Sequence, residues 1–184
     1  MNRTAAITAV LGLAVAGGVL YRVFNPPATL LKTVPADVLK KQPELEPAYR
    51  NYVKNGGEYI WGANDCSIFV SDYINQCGNP CPFRPTTKEL IDPAFMAKVG
   101  FTSASGQIRP GDVIVFRYLN ADRQWRGHTG VVVWYDGANW VMHNTERYQG
   151  MVVETLDRFW ARADAATKGN PDLRKVFRRR DANL

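Results

Sequence analysis

Residues 113–155 read VIVFRYLNADRQWRGHTGVVVWYDGANWVMHNTERYQGMVVET. Four apolar runs stand out, at Val113–Tyr118, His128–Trp134, Trp140–Asn144 and Met151–Thr155. Turn chemistry punctuates them: Arg109-Pro110-Gly111-Asp112 ahead of the first, Asp136-Gly137 between the second and third, Gln149-Gly150 before the fourth. Short β-rich runs joined by such turns predict consecutive antiparallel strands. Upstream the texture is helical. Residues 46–54 (EPAYRNYVK) end at Asn55-Gly56-Gly57, and residues 65–76 (DCSIFVSDYINQ) follow an Asn64 or Asp65 able to serve as N-cap. A further helix is expected over 86–98, interrupted by Pro93, another over 157–166, and a last strand over 175–178. Helices first and a run of strands after them predict an α+β domain, its N-terminal helices packed on an antiparallel sheet of five or six strands.

The chain has 184 residues, of which 46% are apolar, 11% aromatic and 22% charged. That composition supports one packed domain with a short appendage and excludes disorder, collagen-like repetition and a polytopic membrane protein. Twenty-three Lys and Arg face 17 Asp and Glu, a net +6. The excess favours anionic partners such as cell wall or a membrane surface. No recognition motif accompanies it, so nucleic acid is not expected.

Residues 1–23 form the appendage. Residues 5–20 (AAITAVLGLAVAGGVL) carry no charge and follow Arg3, the pattern of a signal-anchor or a signal peptide with Ala14-Val15-Ala16 as its cleavage pattern. An uncleaved apolar helix at the inner membrane is the favoured reading, with the remainder outside the cytoplasm or, after cleavage, secreted. Residues 24–45 hold Pro26, Pro27, Pro35 and Pro43 and read as a Pro-rich tether, which places the folded domain at 46–184.

Cys66 falls at the start of a predicted helix, where the helix dipole and unpaired N–H groups favour a thiolate. The chain has two histidines, His128 and His143, both in predicted strands. If Asp136-Gly137 is a two-residue turn, residue 135 faces 138, His143 faces Gly130 and His128 faces Thr145. Both imidazoles then project from one face as diagonal neighbours, roughly 7–8 Å apart, and Asn144 points to the other. A thiol, a base and a group that orients the base are what attack on a carbonyl requires. Cys66 as nucleophile, His128 as base and His143 as orienter satisfy it. A zinc ion on the same three side chains is the competing arrangement, unsupported by any close Cys/His pair, so neither metal nor cofactor is expected.

Four successive segments carry a resemblance: YIWGANDCS (59–67), RPGDVIVF (109–116), GHTGVVV (127–133) and VMH (141–143). Together they resemble the signatures of NlpC-type papain-like cysteine peptidases, a family related to the CHAP-type amidases that cuts peptidoglycan peptides. The resemblance covers roughly residues 48–160 and implies a papain-like fold with Cys66, His128 and His143 as catalytic residues. It also implies that Tyr59 is the active-site tyrosine, that Asp65 and Ser67 line the pocket for the amino end of a stem peptide, and that the Cys66 N–H meets the oxyanion. Trp61 is the candidate for a substrate-facing ring. Ile68 stands where the family usually has glycine, the segment between Trp61 and Cys66 is short, and the hairpin joining the two histidines is long.

Cys77 and Cys81 bracket a short loop where an exported domain could close a disulfide, leaving Cys66 as the free thiol. Asp112 is expected to order the Pro-Gly turn, and the Arg174–Arg180 cluster to be a solvated strand. The combined expectation is a monomeric cysteine hydrolase that acts on peptidoglycan, cutting between D-glutamate and the diamino acid, in wall remodelling or phage lysis. A wall-binding module without activity, and an acyltransferase or lipid-directed thiol enzyme, are the alternatives.

Overall fold

The computed structural model describes residues 29–180. The expected N-terminal apolar helix lies outside them, and among the described residues no helix is long and apolar enough to cross a membrane. The elements run β1 (Leu30–Leu31), α1 (Ala36–Lys41), α2 (Glu46–Lys54), α3 (Cys66–Cys77), α4 (Thr87–Leu90), α5 (Pro93–Lys98), β2 (Phe101–Ser103), β3 (Val113–Leu119), β4 (Trp125–Tyr135), β5 (Ala138–Thr145), β6 (Gly150–Thr155), α6 (Leu156–Thr167) and β7 (Arg174–Arg179). The strands form one seven-stranded sheet in the order β1-β6-β5-β4-β3-β7-β2. Every pairing is antiparallel. The α+β class holds, and β1 and β2 bring the sheet above the five or six strands expected.

Local chemistry explains the boundaries. Asp65 caps α3, its side chain accepting from the N–H groups of Ser67 and Ile68. Thr86 and Glu89 form a reciprocal capping box at α4. Pro93 does not lengthen that helix; it opens α5, with an extended Asp92 before it as cap. The helix expected over 86–98 is therefore two. Asp136 and Gly137 both adopt positive φ (48° and 75°), the requirement of a type I′ hairpin turn. The register follows as read, with Tyr135 opposite Ala138 and Val131 opposite Met142.

Two apolar layers sandwich the sheet. Val113, Val115, Val131, Val133 and Met142 pack with Phe69, Val70 and Ile74 of α3. Residues of opposite parity, Ile114, Phe116, Val132 and Val141, pack with Phe159 and Ala163 of α6. Helices α3 and α6 thus cover opposite faces.

The segment expected as a tether belongs to the domain from residue 30 onward. Leu30 and Leu31 pair with Glu154 and Val153. Val38 and Leu45 are fully buried. Gln42 donates to the Val132 carbonyl at 3.2 Å and accepts from the Trp134 N–H at 3.0 Å. Prolines break this stretch into short pieces, but its apolar side chains still find the core.

The expected bridge is absent: Cys77 and Cys81 are both free. The Cys77 thiol donates to the Tyr73 carbonyl one turn back at 3.2 Å, and the Cys81 N–H is held by Asn75 Oδ1 at 2.7 Å. Asp112 does order its turn, accepting from the Arg109 N–H at 2.9 Å. It also receives Arg178 through Nε (2.8 Å) and Nη2 (2.7 Å), which draws part of the basic cluster into a buried ion pair.

Candidate active site

Cys66 is the first residue of α3 and is 5% exposed. The loop before it is shaped by an isolated bridge between Ile60 and Asn64 and by the Gly62 N–H, which donates to Asp65 Oδ2 at 2.9 Å. Asp65 Oδ1 takes three further donors: the N–H of Ser67 (2.9 Å), the N–H of Ile68 (3.1 Å) and the Ser67 hydroxyl (2.7 Å). Asp65 and Ser67 are thus engaged with each other at the helix end.

The thiol does not behave as position alone suggested. Burial, and after it the adjacent Asp65 carboxylate, push its pKa up to about 12. Backbone N–H groups of Thr129, Cys66 and Ser67 act in the opposite direction and are outweighed. A carboxylate caps this helix beside the sulfur, so the positive helix end is already compensated. The resting group is a neutral thiol.

The histidines converge as the hairpin register requires. His128 Nε2 lies 2.8 Å from His143 Nδ1, with the rings perpendicular and their centroids 4.7 Å apart. Phe159 of α6 stacks on His128 at 5.8 Å and meets His143 edge-on at 5.4 Å. Phe116 closes on His128 from β3. Burial in this aromatic box holds both imidazoles well below the usual histidine range, with His143 and Arg162 adding to the effect on His128. Asn144, on the other face as expected, is buried and donates to the Asn64 carbonyl at 2.6 Å.

Both imidazoles pack against Phe159 of α6, whereas the body of α3, which Cys66 opens, packs on the other face of the sheet. Their common point is the start of β4. The paired register between β4 and β5 ends at Val131 and Met142, and beyond it the Thr129 N–H, next to His128, is among the groups that draw the Cys66 pKa down. Among the described residues no hydrogen bond joins Sγ to His128. Cys66 opens into a cavity of about 230 Å³, and His128 into one of about 600 Å³. Tyr59, Trp61, Arg126 and Gly127 line both. Trp61 is 63% exposed and carries the Arg126 guanidinium 5.0 Å from its ring centre. Tyr59 is raised above the usual phenol range by burial and by the neighbouring Cys66. The two nitrogens facing each other at 2.8 Å do not present their lone pairs to one point, which disfavours a zinc ion shared with Cys66.

One member of the site went unread in the sequence. Glu154 of β6 is fully buried, and its Oε1 lies 2.8 Å from His143 Nε2. Arg162 bonds the same oxygen, and Arg158 Nε approaches Oε2 at 3.2 Å. Burial holds the Glu154 carboxyl above its ordinary range, although Arg162 and Arg158 draw it part of the way back. The signal was present: an acid interrupting the apolar run Met151-Val152-Val153, with arginines four and eight residues on.

A fold with helices on both faces of an antiparallel sheet, a cysteine opening its central helix, and a histidine near the start of β4 bonded to one near the end of β5 defines a papain-like α+β domain. Residues 56–167 match the NlpC/P60 family, and the chain belongs to it. Members of that family are generally cysteine peptidases or amidases associated with the cell wall. No curated protein and no solved structure matches the chain.

Proposed function

We propose that this protein is a cysteine hydrolase that cleaves amide bonds in the peptide stems of bacterial peptidoglycan, at the bond joining D-glutamate to the diamino acid. It works outside the cytoplasm, held at the membrane by its apolar N-terminal segment or released from it, in wall remodelling or phage lysis. The observation that carries the reading is Cys66 at the first position of α3 and a His128 already locked to a second histidine, opening into two cavities that share Tyr59, Trp61, Arg126 and Gly127.

His143 occupies Nε2 of His128, so Nδ1 is the nitrogen left to take a proton from the thiol. A turn of the Cys66 or His128 side chain closes the remaining gap; hydrogen bonds of this kind commonly tighten only when substrate is bound. The sulfur attacks the amide carbon as its proton passes to Nδ1, and the Cys66 N–H faces the oxyanion. His128 then protonates the departing amine. A water that gives its proton to His128 hydrolyses the thioester, and the thiol recovers that proton. Trp61 and Tyr59, which line both cavities, offer the stem peptide its wall.

Incubation with purified sacculi, with mass analysis of the soluble fragments, tests the activity and identifies the bond. Cys66→Ala and His128→Ala should each abolish release. Undiminished release from either variant refutes the catalytic assignment. The buried, protonated thiol favours a second reading, a wall-binding module without activity. That protein would bind sacculi and release nothing, with or without Cys66.

A further inference from the structure

We propose that Glu154 is a positioning residue of this site: through His143 it fixes which nitrogen of His128 is free to receive the Cys66 proton. The inference rests on the hydrolase reading for its catalytic consequence, but its structural content stands by itself.

The chain of contacts has a single self-consistent assignment of hydrogens. A carboxylate flanked by Arg158 and Arg162 has only acceptors to offer, so the proton between Glu154 Oε1 and His143 Nε2 belongs to the imidazole. A neutral His143 protonated at Nε2 has an unprotonated Nδ1, which must accept from His128 Nε2 at 2.8 Å. A neutral His128 protonated at Nε2 has its lone pair at Nδ1, the atom needed as base. One buried carboxylate therefore dictates the tautomer of a ring it does not touch. The packing removes the freedom to choose otherwise, because Phe159 bears on both rings and Phe116 on the outer one. Glu154 in turn is fixed from α6, which supplies both arginines.

Glu154→Ala is the informative substitution because it leaves only a donor beside His143. Arg162 Nη2 lies 3.5 Å from His143 Nε2, and a guanidinium has no acceptor to offer, so without the carboxylate it requires Nε2 to accept. The chain then inverts: His143 carries hydrogen on Nδ1, His128 accepts at Nε2 and holds hydrogen on Nδ1, and no base faces the thiol.

Two measurements on the full chain test this. Long-range ¹H–¹⁵N spectra of the histidine rings should show both His128 and His143 protonated at Nε2 in the native protein and at Nδ1 in Glu154→Ala. Turnover of sacculi by Glu154→Ala should fall at least about 10²-fold in kcat, toward the ~10⁴-fold loss that a wrong histidine tautomer produces in a serine-protease triad. KM should change little, since no substrate contact is removed. A native His143 bearing its hydrogen on Nδ1, or unchanged tautomers in Glu154→Ala, would overturn the proposal. The native spectrum alone decides the case if the variant does not fold. A native protein inert on sacculi defeats the hydrolase reading and leaves the tautomer result standing.

Discussion

Asp65 caps helix α3 with a carboxylate that adds to burial in holding the neighbouring Cys66 thiol in its protonated form. Stability of the helix end and reactivity of the sulfur are therefore opposed at adjacent residues. Asn caps helices about as well as Asp. Asp65→Asn should consequently fold normally while lowering the thiol pKa from about 12. The pH dependence of iodoacetamide labelling checks this. Native protein should label slowly near neutrality and accelerate only at strongly alkaline pH, and the variant's profile should move to lower pH. Fast native labelling near pH 6 would show that the thiolate is already present.

The histidine pair predicts how stability responds to acid. Burial depresses both folded-state pKa values, whereas an unfolded histidine titrates near about 6.5. Below that pH the unfolded chain binds protons that the fold refuses, so the stability conferred by neutral imidazoles is present above about 6.5 and is lost on acidification. Each such group adds a slope of up to about 1.4 kcal/mol per pH unit. The melting temperature should fall between about pH 7.5 and 5.5, and His128→Gln should fall less steeply. Equal slopes in the two proteins would contradict the buried-neutral assignment.

What could be read from the residues was local or periodic. Asp136-Gly137 specified its own turn, and that turn specified the register that joins His128 to His143. An N-cap at Asn64 or Asp65 was equally legible, and the structure assigns it to Asp65. What escaped required knowing which element covers which face. Glu154 gains meaning only when β6 lies beside β5, with Glu154 opposite Val141 and diagonal to His143. That α6 roofs the histidines while α3 lies beneath follows from packing that no single segment encodes. Residues 30–45 failed for a different reason: their prolines describe the breaks correctly and conceal the burial of Val38 and Leu45 between them.

That segment yields its own prediction. Leu45 is fully buried at the junction of α1 and α2 and belongs to the main core. Leu45→Ala should destabilise the domain by about 2–5 kcal/mol, the range for a buried leucine that leaves a cavity. Residues of a solvated tether would register within about 0.5 kcal/mol. Urea unfolding followed by circular dichroism distinguishes the two, and a change of the smaller size would mean that the core does not depend on residues 30–45.

Two glycines of the hairpin separate stability from catalysis. At Gly130 an added Cβ would stand 2.6 Å from Val141 Cγ1 and 3.0 Å from both His143 Cβ and the Met142 carbonyl. The obstruction includes backbone, so β5 must move and carry His143 with it. Gly130→Ala should lose about 1–3 kcal/mol by overpacking and should also lower kcat, because the His128–His143 bond is displaced. Gly137 presents the opposite case. Nothing lies within 4 Å of its Cβ position, but its φ of +75° is unfavourable for alanine. Gly137→Ala should lose about 1–2 kcal/mol, a backbone penalty paid at the remote end of the hairpin, with kcat unchanged. Thermal melts and sacculus turnover measured side by side check the pair. If Gly130→Ala retained full turnover despite its lower stability, the precise seating of His143 would not matter to the reaction.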